Sequence, residues 1–307
     1  MKKKSGLVFI GLSLFCAAVL LGGCSDMLLF IPKGPIGDAE RLVIIVAIAL
    51  MLIVVIPVAV MVFWFPRKYR ASNTKATYMP KWSYSGKIEL VVWLVPALII
   101  TVLGTLIWHY TFHLDPYKPI DTGVKPIRIE AVSLDWKWLF IYPDHKIAAV
   151  NQLVFPAKVP LSFRLTSDTV MTSLFIPQLG SQIYAMAGMQ TRLHIMADEP
   201  GTYLGQNQQF SGRGFAGMHF KAIALPREQF DAWVQKVKQS PEKLDLARYE
   251  ELQKPSTNYP VVFFSWVKTD LFEHIIRQFN KTMFMKPGTM NEGSGSMHHK
   301  TGALEES

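Results

Sequence analysis

The chain predicts a membrane-anchored α plus all-β protein: a two-helix transmembrane hairpin, a β-sandwich or barrel, then C-terminal helices. The prediction rests on two long uncharged apolar runs before residue 110, period-two alternation from about residue 125, and a return to helical spacing after residue 225. With 307 residues and 50% hydrophobic content, there is chain enough for one globular domain besides the membrane segments.

Leu7 to Leu21 follows Lys2, Lys3 and Lys4 and is too short to span comfortably, so residues 1–23 read as a signal peptide. The run ends Leu21-Gly22-Gly23-Cys24, small residues leading into a cysteine, which resembles the bacterial lipoprotein box. On that reading residues 1–23 are removed and Cys24 becomes the acylated, palmitate-bearing N-terminus. The competing reading is an ordinary cleavage site beside an unrelated cysteine. Cys16 and Cys24 are the only cysteines, so neither a disulfide nor a thiolate ligand is available to the large domain.

After an outer N-terminal segment, 24–41, two spans are expected at 42–65 and 89–110. Leu42 to Phe65 is 24 residues without a charge, interrupted by Pro57, and Leu90 to Trp108 gives 19 more, interrupted by Pro96. Each meets the length of about 20 residues that the hydrocarbon core requires. Proline is tolerated there because neighbouring helices or waters satisfy the freed carbonyl. Trp64 and Trp82 bracket one side, Trp108 and Tyr110 the other. The connecting loop, 66–88, carries Arg67, Lys68, Arg70, Lys75, Lys81 and Lys87 and no acid, which places it in the cytoplasm and both chain ends outside. After residue 110 there are 21 basic and 19 acidic residues, so the net charge of +9 gathers beside the membrane segments. That is a topology signal and argues against a nucleic-acid partner, which would need a basic face.

From 111 to 225 the pattern suits an outer β-domain. Ile127 to Val132, Val159 to Leu165 and Thr191 to Met196 alternate, and Pro143, Pro156, Pro177, Gly180, Gly188 and Pro200-Gly201 punctuate them. Short strands with regular turn signals predict an antiparallel sandwich or Greek-key barrel. In the extension 226–286, Arg227 to Gln239, Pro241 to Gln253 and Asp270 to Met283 read as amphipathic helices, the last with Phe272, Ile275, Ile276 and Phe279 on one face. The tail 287–307 is Gly/Ser-rich and is expected to be disordered, with His298 and His299 as solvated residues.

Four segments resemble subunit II of the haem–copper oxidases, from Cys24 through nearly the whole chain: Glu89-Leu-Val-Val-Trp93-Leu-Val-Pro96, Asp135-Trp136-Lys137-Trp138, Val170 to Pro177, and the Gly-rich stretch 201–218. The wording of 180–194, GSQIYAMAGMQTRLH, is similar to the quinol oxidase branch of cytochrome bo type. The resemblance implies a cupredoxin-like sandwich. In copper-bearing relatives this domain holds a dinuclear centre with two cysteines, two histidines, a methionine and a backbone carbonyl. At the matching positions this chain has Asn207 and Ser211 for cysteine, Thr172 and Phe215 for histidine, Gln209 for the carbonyl donor, and Met218 as the one match. Amides, a hydroxyl and a ring cannot replace the soft thiolates and imidazoles that copper of this kind needs. His194 and His219 fall at no matching position.

The resemblance therefore implies a metal-free subunit of a proton-pumping ubiquinol oxidase in the bacterial inner membrane. Haems, copper and ubiquinol would be handled by a large partner subunit I, with other small membrane subunits alongside and no role for cytochrome c. Glu89, the only acid between residues 41 and 115, is explained by the helix N-terminal dipole from sequence alone. The family match makes it a candidate for proton entry. Trp136 and Trp138 alternate with Asp135 and Lys137, so both indoles are expected on one strand face as core or interface anchors. The alternative function is a membrane-tethered lipoprotein that binds or senses a periplasmic ligand.

Overall fold

A computed structural model describes residues 27–284 apart from 76, 78 and 80. The signal segment, Cys24 and the tail with His298 and His299 lie outside the described residues.

The two apolar runs lie inside helices α1, Pro35–Lys68, and α2, Gly86–His113, both long and apolar enough to cross a membrane. Pro35 stands at the first helical position of α1, where its missing N–H costs nothing, and Arg67 and Lys68 occupy the last turn, where cations suit the dipole. The helices outrun the uncharged cores because Asp38 and Arg41 at one end and Arg67 and Lys68 at the other tolerate helix once outside hydrocarbon. Gly37 is the one buried residue of α1 and Ile99 the one of α2, so nearly all their apolar side chains face outward.

The start of α1 is fastened to the β-domain. The Lys33 N–H donates to Gln178 O at 2.6 Å, and the Asp198 N–H donates to Lys33 O at 2.8 Å. The backbones come close enough that a Cβ on Gly34 would sit 2.2 Å from Met196 O.

The β-domain is two facing sheets. The first has β1 (Ile127–Leu134), β2 (Lys137–Tyr142), β3 (Ile147–Val150), β5 (Leu161–Ser167), β8 (Thr191–Ile195) and β12 (Val262–Phe264), in the order β12-β3-β2-β1-β5-β8. The second has β4 (Gln152–Pro156), β6 (Thr172–Ile176), β7 (Gly180–Ala185), β9 (Gly201–Gln206) and β10 (His219–Leu225), in the order β4-β10-β9-β6-β7. The expected cupredoxin-like sandwich is the architecture found, but it is not purely antiparallel. β1 runs parallel to β5, and β4 parallel to β10. Alternation reports which face a residue takes and carries no information on the direction of the neighbouring strand.

Apolar residues of the inner faces, among them Ile129, Phe140, Phe163, Leu193, Phe220 and Ala222, form the main core, closed at one side by Phe230, Val234 and Val237 of α3 (Arg227–Lys238). A second core lies on the other face of the six-stranded sheet. There Val132, Leu139, Ile141 and Val150 meet Tyr249 and Leu252 of α4 (Leu246–Gln253) and Phe272 and Ile275 of α5 (Leu271–Phe284). This double cover explains why β2 and β3 are buried at every position. The helix expected over Pro241 to Gln253 is shorter than read. Lys243 and Leu244 form β11 beside β13 (Trp266–Val267), and the Asp245 carboxylate caps α4 by accepting from the Arg248 N–H at 2.8 Å.

Candidate functional site

The loop between β9 and β10, residues 207–218, meets the start of β6 and the β1–β2 turn at one end of the sandwich. Asn207 is its hub. Its Oδ1 accepts the Ser173 N–H and the Gln209 N–H, each at 2.9 Å, and the Ser173 hydroxyl at 3.4 Å. Its Nδ2 lies within donor reach of Gln209 O at 2.8 Å, Ser211 Oγ at 3.2 Å and Met218 Sδ at 3.5 Å. The amide cannot be reversed, because two N–H groups face Oδ1 and neither can accept. Main chain joins in: the Asn207 N–H donates to Met218 O at 3.3 Å, and the Gln208 N–H to Ser173 Oγ at 2.9 Å.

Thr172, Asn207 and Met218 are buried here, at 2%, 5% and 1% exposure. Ser211, Gln209 and Phe215 are half-buried, and Phe215 sits in a short 3-10 turn, Phe215–Gly217, with its ring 5.7 Å from that of Phe210. Four of the six positions singled out in the sequence, Asn207, Gln209, Ser211 and Met218, are therefore drawn together around the Asn207 amide, and Thr172 is buried next to Ser173 without a hydrogen bond to that amide. Phe215 instead pairs with Phe210 at the rim. The Thr172 hydroxyl is buried and has no hydrogen-bond partner.

The two tryptophans both lie on the main-core side of the six-stranded sheet, but Trp136 stands in a turn and not on the strand. Asp135 and Trp136 form the two-residue turn between β1 and β2, since Leu134 pairs with Lys137, and Trp136 has φ +62°. A residue in the left-handed region belongs to the turn, so Trp136 reaches the edge of the core from the loop end while Trp138 points into it from β2. Trp136 folds over the loop: its Nε1–H donates to Ser211 O at 2.9 Å, and Gly214 lies beneath the indole, where a Cβ would come within 2.3 Å of the ring. Trp138 is fully buried, stacked on Phe140 at 6.2 Å and edge-on to Phe220 at 6.1 Å. Its indole N–H has no acceptor.

Glu89 stands exposed in the first turn of α2, its N–H bonded to Ser85 O at 3.0 Å. His194 is a buried structural residue. Its Nδ1 is 3.1 Å from Pro116 O, which can only accept, so Nδ1 carries the proton and Nε2 accepts from Ser162 Oγ at 3.1 Å. His219 is exposed at the start of β10.

Two charged features do not stand out in the sequence pattern, Lys137 beside this end and Arg164 on the far face of the six-stranded sheet. Lys137 is buried, its ammonium donating to Lys254 O at 2.9 Å and Ser256 Oγ at 2.6 Å beneath the Tyr259 ring, and burial lowers its pKa. Arg164 ties Glu130 of β1, at 3.0 Å, to Glu273 of α5 and lies over the Phe272 ring. Burial raises the Glu130 carboxyl above its usual range, with Arg164 opposing the shift. Lys137 could have been noticed between its two tryptophans, but Arg164 looks like any outward residue of an alternating strand.

The donor set does not fit the dinuclear copper centre described for copper-bearing relatives. Every hub group except Met218 is a neutral amide, hydroxyl or carbonyl, and the amide donors and acceptors are already spent on each other. Among the described residues no three His, Cys, Asp or Glu side chains are placed to hold a metal ion.

Residues 100–224 match the family model for the cytochrome c oxidase subunit II periplasmic domain, and 238–283 match the cytochrome oxidase aromatic-rich motif. The cytochrome bo(3) ubiquinol oxidase subunit 2 of Pseudomonas aeruginosa is 54% identical over 92% of this chain and 85% of its own length. The ubiquinol oxidase subunit 2 of Acetobacter aceti is 48% identical, covering 89% of each. Among solved structures, the periplasmic domain of subunit II of cytochrome oxidase (CoxB) of Bradyrhizobium japonicum aligns with 36% of this chain and 91% of that one, at 21% identity and a TM-score of 0.35. The extent and identity of the first two matches leave one conclusion: the chain belongs to the cytochrome bo(3)-type ubiquinol oxidase subunit 2 family.

Proposed function

We propose that this chain is the metal-free structural subunit of a proton-pumping quinol oxidase, seated on a larger subunit that holds the haems, copper and quinol. One observation carries the copper-free part: the Asn207 amide bonds both sides of the ligand loop to each other and to β6. A loop closed by its own amide keeps its shape without a cation, and its neutral hub has no counter-charge for one. Electrons then enter by a lipid-soluble donor within the membrane, which suits relatives named as ubiquinol oxidase subunits. The exposed apolar faces of α1 and α2 suit lateral packing against further membrane helices and lipid.

On the same reading, acylated Cys24 anchors the outer end, and the six cations between the helices hold that loop in the cytoplasm. The β-domain then lies in the periplasm. Glu89, exposed at the cytoplasmic start of α2, serves proton entry into the partner. Trp136 holds the ligand loop, and the loop end of the sandwich faces the partner subunit.

Oxygen uptake by the complex, purified through a tag on this chain, tests the proposal together with copper content per complex. Uptake with ubiquinol and none with reduced cytochrome c supports it, with copper accounted for by the large subunit alone. Cytochrome c oxidation, or extra copper that leaves when this chain is removed, would sink it. An intact chain purified alone, without oxidase activity, would favour the tethered lipoprotein instead.

A further inference from the structure

The last two turns of α2 carry His109 and His113, four residues apart and therefore on one side of the helix. Their ring centroids are 4.3 Å apart with planes inclined at 50°. Both side chains are exposed, and the Tyr110 ring stands edge-on to His109 at 5.5 Å. Such a pair presents ring nitrogens on one side of the helix. It is well placed to share one cation. A zinc-sized ion would take one nitrogen from each ring at about 2.0–2.1 Å.

A second, independent feature favours a cation at the same spot. The helix ends at His113, and the Leu114 N–H turns back to Tyr110 O at 2.8 Å, which leaves the following carbonyls of the last turn without helical partners. The negative end of the α2 dipole thus lies beside the imidazole pair. His113 alone would be explained by that dipole; His109, one turn earlier and aimed at the same side, is not.

We propose that His109 and His113 form a two-histidine chelate for a divalent transition-metal ion at the C-terminal end of α2, where the helix meets the β-domain. Imidazole selects the zinc, copper and nickel class over magnesium or calcium. With two protein ligands the site leaves coordination positions for water, so binding is exchangeable and the ion is a modulator of the complex and not a structural staple. The site is remote from the β9–β10 loop in sequence and shares no residue with it, so it does not depend on the copper-free reading.

Zinc is the probe, and the purified complex is the sample, with His298→Ala and His299→Ala introduced first so that the tail does not compete. Equilibrium dialysis should find one zinc per complex that is weakened about tenfold or more by His109→Gln and equally by His113→Gln, because a chelate needs both ligands. The exchange Thr111→His with His113→Thr keeps two histidines but sets them two residues apart, facing different sides of the helix, and should weaken zinc to the same degree. Magnesium should not displace the ion. Zinc binding that neither single substitution alters would overturn the proposal. So would a loss caused by only one of the two, or full affinity in the exchanged-spacing variant.

Discussion

The ligand-loop end of the sandwich and the helical hairpin use their side chains in opposite ways. At the loop, Asn207 meets its partners within the same domain, Met218 buried among them. Along the hairpin, Leu52, Val62, Trp93, Ile100 and many like them are exposed, and the two helices bury almost nothing against each other. The difference separates what the chain does for itself from what it leaves to others. A polar network closed on itself rigidifies a loop and asks for no ligand, whereas two apolar helices are stable only with lipid or other helices around them.

The closed end is most easily broken at the core that supports the loop. Trp138→Ala removes a fully buried indole from between Phe140 and Phe220 and should cost about 3–5 kcal/mol, read from thermal unfolding of the chain in detergent. Trp138→Phe should cost far less, because it also removes the indole N–H that has no acceptor. If the alanine variant unfolds like the parent, the loop end is not a cooperative part of the sandwich. Asn207→Ala comes next. It strands the Ser173 and Gln209 N–H groups, at about 1–3 kcal/mol each, with water relieving part of the loss at half-buried Gln209. Asn207→Asp keeps both acceptor contacts and should fall between alanine and the parent. Equal stability of all three would mean the loop is not closed by this amide.

How much of this was legible beforehand depended on the range of the interaction. The apolar runs and the strand alternation are local patterns, so the hairpin, β1, β5, β8, α3 and α5 could be read close to where they lie. The β9–β10 loop was placed in the sequence through the family frame, because Gly212, Gly214 and Gly217 keep the spacing even where the ligands differ. The hub itself was not legible, since Asn207 reaches Ser173 across 34 residues of sequence. Trp136 was misplaced for a conformational reason: one residue at positive φ ends the alternation, and nothing in Asp-Trp-Lys-Trp announces it. The second core failed for lack of a signal, because strands buried on both faces lose the pattern that marks a single buried face.

The Arg164 bridge sharpens the contrast from the other side of the six-stranded sheet, where closure is ionic. Arg164→Met leaves Glu130 and Glu273 facing each other without their cation. Breaking a fully buried pair costs about 3–5 kcal/mol. Arg164 and Glu273 keep 35% and 38% side-chain exposure, so water screens part of this and about 2 kcal/mol is expected. The loss should loosen α5 first, and hydrogen exchange along Leu271 to Asn280 would report it. Uniform protection with global destabilisation would instead make the bridge part of the whole sandwich.

The smallest effect is a pH slope. Asp144 pairs with exposed Arg128, whose hydrogen bond holds the carboxyl below its ordinary range. A depressed carboxyl stabilises the fold at pH above its unfolded value, near 3.9, and that contribution is lost as pH falls through the lower folded value. Asp144→Asn should therefore cost less than about 1 kcal/mol at neutral pH, and the gap to the parent should close in strong acid. Glu130 slopes the other way. Burial raises its folded pKa, so the carboxylate penalises the fold at neutral pH and the penalty lifts as pH falls through the raised value to the unfolded one. Glu130→Gln should thus compare best with the parent at neutral pH and lose ground in mild acid. Melting curves of the two variants across the acid range should diverge from the parent in opposite senses. If both gaps closed together with falling pH, Glu130 would be an ordinary paired carboxylate, and the closure beneath α5 would be no more buried than the Arg128–Asp144 pair.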